Sequence, residues 1–349
     1  MSGDTVPAQS ATTLADPGFP RLVADIGGTN ARFGWLAQAG AAVEHVRQLP
    51  VQQFAGPAQA AQAYLADLAA QLAGQYHAPQ HAAFAVATAV AGDRIAFTNC
   101  PWDFSRSQVQ AELGLASLQM LNDFESLALS LPRLGAAQLR PHDASRPWST
   151  DATPGRVLAV VGPGTGLGVG AVVATRQGWV ALPGEGGHAT LSAGNDLESA
   201  VLACARQHYP HVSAERLLSG IGLPLLYQSV GQVAGVTTAE LGTAQIVEAG
   251  LSGADAVASQ TIDVFCAMLG SFAGNVALTL GARGGVYIGG GIVPRFADRF
   301  FASAFRERFE AKGRFQAYLS AVPTALITDT LAALSGAALA IEQHVALGG

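Results

Sequence analysis

Along this chain, short unbroken apolar blocks alternate with stretches whose apolar residues recur every three or four positions. Blocks of the first kind read as buried strands; they are Leu22-Val23-Ala24, residues 82–90, residues 157–161 and Val286-Tyr287-Ile288. The first ends at Asp25, and residues 32–36 follow as a second strand across Gly27-Gly28, which predicts a hairpin. Residues 157–161 and 169–174 repeat that plan across a second glycine-rich turn, Gly162-Pro163-Gly164-Thr165-Gly166-Leu167-Gly168. Gly92-Asp93 predicts another turn, with 94–98 as the hairpin partner of 82–90. Helical spacing marks 58–72, where Tyr64, Leu65, Leu68 and Leu72 share a side, and 108–113, which stops at Gly114. Residues 264–282 carry no charge, but Ser271, Gly274, Asn275 and Thr279 interrupt them and no basic cluster flanks both ends. That predicts a buried helix rather than a membrane span. Residues 140–155, rich in Pro, Ser, Asp and Thr, read as a loop or insertion. Two halves that open on the same hairpin predict two similar α/β domains around a cleft, and the absence of a short repeat excludes a solenoid.

Composition narrows the function. The chain has 349 residues, is 50% hydrophobic and only 13% charged, which is ample for a buried core of about two domains. A net charge of −6 with scattered Lys and Arg argues against a nucleic-acid partner. Cys100, Cys204 and Cys266 are odd in number and far apart, which suits a reducing cytoplasm rather than a disulfide framework. The segment before Pro20 has neither a basic start nor an apolar core. It reads as a disordered tail, not a signal peptide.

The candidate chemistry lies at the ends of the apolar blocks. Glycine lets backbone N–H groups converge on an anion because no Cβ blocks the approach. Three glycine-rich segments therefore suit a polyphosphate and its nucleoside: Asp25-Ile26-Gly27-Gly28-Thr29-Asn30, Gly162–Gly168, and Gly289-Gly290-Gly291. In the first, the amides of Gly27, Gly28 and Thr29 would face phosphates and Asp25 a magnesium ion, directly or through water. No Gly-Lys-Ser/Thr follows, so it is not a Walker A loop, and a strand rather than a helix follows, so it is not a dinucleotide fingerprint. Asn122-Asp123 ends the run Leu118–Leu121 where a helix begins. Asp123 there reads as an N-cap and as a base facing the crevice at the strand ends, and both roles can hold. Glu185 and His188 share a glycine-rich loop and could bond sugar hydroxyls, whereas Glu215 alone reads as a surface helix acid. Together these features predict a kinase acting on an alcohol.

In order and spacing the chain resembles the bacterial glucokinases of the non-repressor type from about residue 22 to 340. The matching segments are Asp25-Ile-Gly-Gly-Thr-Asn-Ala-Arg32, Thr98-Asn99 with Trp102, Leu121-Asn-Asp-Phe124 and Gly164-Thr-Gly-Leu-Gly168. Leu182-Pro-Gly-Glu-Gly-Gly-His188, His211-Val-Ser-Ala-Glu-Arg216, Leu218-Ser-Gly220 and Gly289-Gly-Gly-Ile-Val-Pro-Arg295 complete them. The resemblance implies an α/β, two-domain actin-like ATPase (ribonuclease-H-like) fold closing on glucose and ATP. The expected division is a tail at 1–20, a small domain of 21–133 plus 324–349, and a large domain of 134–323. It implies transfer of phosphate from ATP to the glucose 6-hydroxyl, with Asp123 as base and Asn122, Asp123, Glu185, His188 and Glu215 on the sugar. The first phosphate turn falls on Ala24, Asp25, Ile26, Gly27, Gly28 and Thr29; Gly164, Thr165, Gly166, Gly290 and Gly291 complete the nucleotide contacts. ATP and Mg²⁺, a homodimer, the cytoplasm and no membrane partner go with it. A kinase for mannose or an N-acetylhexosamine, and a sugar sensor that has lost turnover, are the alternatives. Pro163 stands where a small residue such as Ala is usual, and Ala189-Thr190-Leu191 where an acid-containing run is frequent. Repressor-type sugar kinases resemble the chain less, since no Cys lies between His188 and Cys204.

Overall fold

The structure, a computed structural model, describes residues 18–97, 100–145 and 151–348. Most of the expected tail (1–17), Thr98 and Asn99 of the matching segments, and part of the expected insertion (146–150) lie outside them. Of the tail, Phe19 is described, and it packs against the core beside Arg21.

In chain order the strands are β1 (Arg21–Ile26), β2 (Asn30–Leu36), β3 (Glu44–Pro50), β4 (His81–Val86), β5 (Arg94–Ala96), β6 (Asp103–Ser105) and β7 (Ser117–Asn122). There follow β8 (Leu139–Pro141), β9 (Val157–Pro163), β10 (Leu167–Thr175), β11 (Gly178–Leu182), β12 (Val286–Ile288) and β13 (Thr324–Ile327). They form a five-stranded sheet, β3-β2-β1-β4-β7, a six-stranded sheet, β11-β10-β9-β12-β13-β8, and the ribbon β5-β6. Both predicted glycine hairpins are present, β1 antiparallel to β2 and β9 to β10. β1, β4 and β7 are parallel and end in register, Ile26 beside Val86 and Val86 beside Asn122. Their carboxyl ends therefore open into one crevice, where ligands of open α/β sheets bind.

Unbroken apolar blocks arise because both faces of each sheet are covered. Successive side chains point to opposite faces. Leu22, Ala24 and Ile26 thus pack outward with Tyr64 and Leu68 of the helix Pro57–Leu72, while Val23 points to the middle layer. Likewise Ala159 and Val161 face the helix Ala256–Leu280, whereas Leu158 and Val160 face the middle. The middle layer takes residues from both sheets together with the helices Asp123–Ser130 and Ala332–Ala346, which pack on each other. Phe265 and Leu269 of Ala256–Leu280 are fully buried, worth roughly 1.5–3 kcal/mol each. That helix is long and apolar enough to cross a bilayer, yet 78% of its apolar stretch is buried inside the protein, as the sequence predicts.

Several expectations fail for topological reasons. Residues 94–98 are not the partner of 82–90; β5 pairs with β6 instead. β4 already has β1 and β7 on its two sides, so it offers no free edge. It also ends at Val86, because Thr88 turns away to bond Ala96 O through its hydroxyl at 2.9 Å. The expected loop at 140–155 opens with the edge strand β8. β13 lies in the second sheet, parallel to β12, so the chain returns to the first sheet after Ile327 and not at Pro323.

Candidate active site

The N-terminus of the helix Asp123–Ser130 organises the site. Asn122, not Asp123, is the N-cap: its Oδ1 accepts from the Phe124 amide at 2.9 Å, and Glu125 reaches back toward the Asn122 amide at 3.4 Å. The Asn122 Nδ2 donates to Thr88 O at 3.1 Å, which ties the cap to the end of β4. Asp123 is thereby the first helical residue, and its Oδ1 accepts from the Phe124 amide at 3.0 Å. Burial pushes the Asp123 carboxyl up to about 6; the Phe124 amide lowers it, and the charges of Asp25 and Glu185 raise it further.

Asp25, next to last in β1, is also pushed up by burial, against the opposing pull of Arg32. The Arg32 guanidinium holds its Oδ2 at 3.2 Å and donates through Nε to Gln48 Oε1 at 3.1 Å. The hairpin itself closes by a bond from Gly27 N to Asn30 O at 2.9 Å. Among the described residues, the Gly28 and Thr29 amides have no acceptor within the protein.

The second hairpin is built into a larger assembly. Gly164 O and Thr165 O accept from Gly220 N and Ile221 N at 2.8 and 3.2 Å, and Pro163 O accepts from Ile292 N at 3.1 Å. The turns at 219–221 and 289–292 are thus fixed to the hairpin tip. Pro163 ends β9, and the group it contributes here is its carbonyl. Gly290, at φ +77°, needs the left-handed region, and a side chain there would meet Pro163 O.

Glu215 lies in a turn rather than on a surface helix, and its Oε2 accepts from Leu167 N at 3.0 Å. Its own amide donates to Gly187 O at 2.9 Å, which brings the Glu185–His188 loop alongside. His188 then sits 4.0 Å from both Glu185 and Glu215. Glu185 and His188 stay largely exposed, while Glu215 is 22% exposed. In the departing segment after His188, Thr190 Oγ1 lies 3.1 Å from His211 Nε2, and Leu191 is buried.

A cavity of about 280 Å³ lies between Asn122 and Glu125 on one wall and Val169, Gly170 and Leu182–Glu185 on another, so that of the candidate residues Asn122 and Glu185 line it. It has the size for a hexose rim rather than a macromolecule. A larger one, about 390 Å³, lies against the helix Ala332–Ala346 and holds none of the candidate residues. The structure thus joins Glu185, His188 and Glu215, and links Asp25 and Glu185 to Asp123 by charge. Sequence reasoning gave no role to Phe124, Glu125, Arg32 or Thr88. Only the spacing Asn122-x-x-Glu125, a capping-box signature, could have signalled one of them.

Two sheets sharing a central pair of helices, with a buried carboxylate between two glycine hairpins, define a sugar kinase of the two-domain actin-like ATPase fold. The comparisons agree. The glucokinase family model matches residues 22–344. A glucokinase of Neisseria meningitidis is 44% identical over 336 residues, 96% of this chain and 99% of the relative. The crystal structure of a glucokinase from an Antarctic psychrotroph superposes with a TM-score of 0.84 at 36% identity, covering 93% of this chain and 98% of that one. A ROK-family glucokinase from Streptomyces griseus, solved with glucose and AMPPNP, gives 0.58 at 18% identity over 93% of this chain and all of that one, a likeness of fold alone. The chain belongs to the glucokinase family.

Proposed function

We propose that Asp123 is the general base of this ATP-dependent glucokinase. It takes the proton of the glucose 6-hydroxyl as that oxygen bonds to the terminal phosphorus of ATP and the bond to ADP breaks. The observation that carries this is a buried carboxyl pushed up to about 6 and held by the Phe124 amide at the mouth of the crevice. A base is most effective when its pKa approaches the working pH, and burial supplies that here.

Glu185, His188 and Glu215 bind sugar hydroxyls from the second half, and Asn122 from the first. Asn122 has one amide hydrogen left for this, since its other groups hold Thr88 and Phe124. The amides of Gly28, Thr29, Thr165, Gly166, Gly290 and Gly291 have no acceptor within the protein among the described residues, which suits them to phosphate and ribose oxygens. The β1 residues Ala24 to Ile26 shape that turn. Mg²⁺ takes few protein ligands and keeps waters and phosphate oxygens. A single carboxylate, Asp25, fits that habit, and the described residues hold no cluster of three metal-ligating side chains. When bound, the ion offsets phosphate charge. A homodimer is what the family resemblance implies, and the free thiols of the described residues suit a reducing cytoplasm.

Asp123→Asn tests the central assignment. It should lower kcat by about 10²–10⁴ while calorimetry finds glucose binding retained. Near-normal kcat in the pure variant would refute the assignment.

A further inference from the structure

Phe124 follows the base directly, and each of its parts does something different. Its amide donates to both Asn122 Oδ1 and Asp123 Oδ1, at 2.9 and 3.0 Å. Its ring packs against the second hairpin: a methyl added at Gly162 would stand 2.5 Å from the ring, and one at Gly168 would overlap it. Its carbonyl lies 2.7 Å from where a Cβ would stand at Gly170. Three glycines on adjoining strands β9 and β10 thus make a flat seat for one residue. The atoms on either side of that residue's Cα hold the carboxylate and the hairpin.

We propose that Phe124 is a positioning residue that fixes the Asp123 carboxylate relative to the hairpin Gly162–Gly168. The base opens the helix that follows β7 and the hairpin belongs to the other sheet, so their separation is not set by any one strand ladder. The ring sets it. On this view Gly162 and Gly168 are glycines for the sake of Phe124, not of a phosphate. The proposal rests on Asp123 being the base, which Asp123→Asn tests separately.

The experiment is a mutant cycle read in kcat, with glucose and AMPPNP affinities and melting temperature measured on the same preparations. Gly168→Ala displaces the ring and should lower kcat about 10–100-fold, since misplacing a reacting group by about 1 Å costs up to about 10². Affinities should stay within about threefold. Phe124→Ala should lower kcat similarly, and Phe124→Leu less. In the Phe124→Ala background, Gly168→Ala should cost almost nothing more, because the methyl then has room. Equal losses from Gly168→Ala in both backgrounds would mean the glycine serves the ligand directly and would overturn the proposal. A lower melting temperature with unchanged kcat in Phe124→Ala would reduce the ring to packing alone, and would also overturn it. Should Gly168→Ala not fold, Gly162→Ala completes the same cycle.

Discussion

The two glycine hairpins have the same plan and opposite surroundings. At Gly27 an added methyl would meet nothing nearer than Asn30 O at 3.6 Å, an ordinary contact. At Gly162 and Gly168 it would strike Phe124, and at Gly166 the Glu215 carboxylate. The acid of the first hairpin, Asp25, is held by an arginine from within the hairpin; the acid of the second, Glu215, arrives from a turn 48 residues away. In β1–β2, Gly27 leaves room that no described residue fills, and the Gly28 and Thr29 amides, without an acceptor among the described residues, border it. In β9–β10 most of the room is filled by protein, and at the tip the Thr165 and Gly166 amides have no acceptor among the described residues. The same string of glycines can therefore record access for a ligand in one place and close packing in another.

Breaking the first hairpin's acid should have the largest effect. Asp25→Asn removes the charge proposed to face the metal and should lower turnover by about 10², with little change in melting temperature. Turnover near wild type in a coupled assay would remove the functional half of the contrast.

Alanine scanning of the glycines sharpens the contrast itself. Gly168→Ala overpacks a filled site and should cost about 1–3 kcal/mol in urea denaturation. Gly27→Ala has space and an ordinary backbone, so its cost should stay within about 0.5 kcal/mol while the KM for ATP rises. The reverse order of stabilities would show that packing does not distinguish the hairpins.

Glu215→Gln keeps the shape and an acceptor for Leu167 N but loses the charge. It should weaken glucose binding by about 1 kcal/mol and move the KM for ATP less. Unchanged glucose affinity by calorimetry would make Glu215 a brace for the hairpin only.

The smallest effect is on pH. The base works ionised, and burial pushes Asp123 up to about 6, so kcat/KM should fall as pH drops through about 6. Glu185 raises that value through its charge, so Glu185→Gln should move the acidic limb to lower pH. A limb that stays in place, or moves up, would mean that Glu185 does not act on the base.

Neighbouring residues were enough to set the parts. Alternation and glycine breaks placed β1, β2, β9, β10 and most of the core helix, expected at 264–282 and found at 256–280, because local chain geometry sets strand and helix periods. The motifs around Asp25, Asp123, Glu185 and Gly164 pointed to the chemistry, since each is contiguous. The partners were chosen by long-range packing. Residues 94–96 took β6 because β4 had no free edge, and 324–327 joined the second sheet beside β12. Glu215 read as a surface acid until its turn met Leu167 N, and Phe124 had no role until three glycines of another sheet received it. Periodicity reports what lies next along the chain. Which edge is still open, and which ring fills a gap between two sheets, depends on residues far apart in sequence, and only the folded core brings them together.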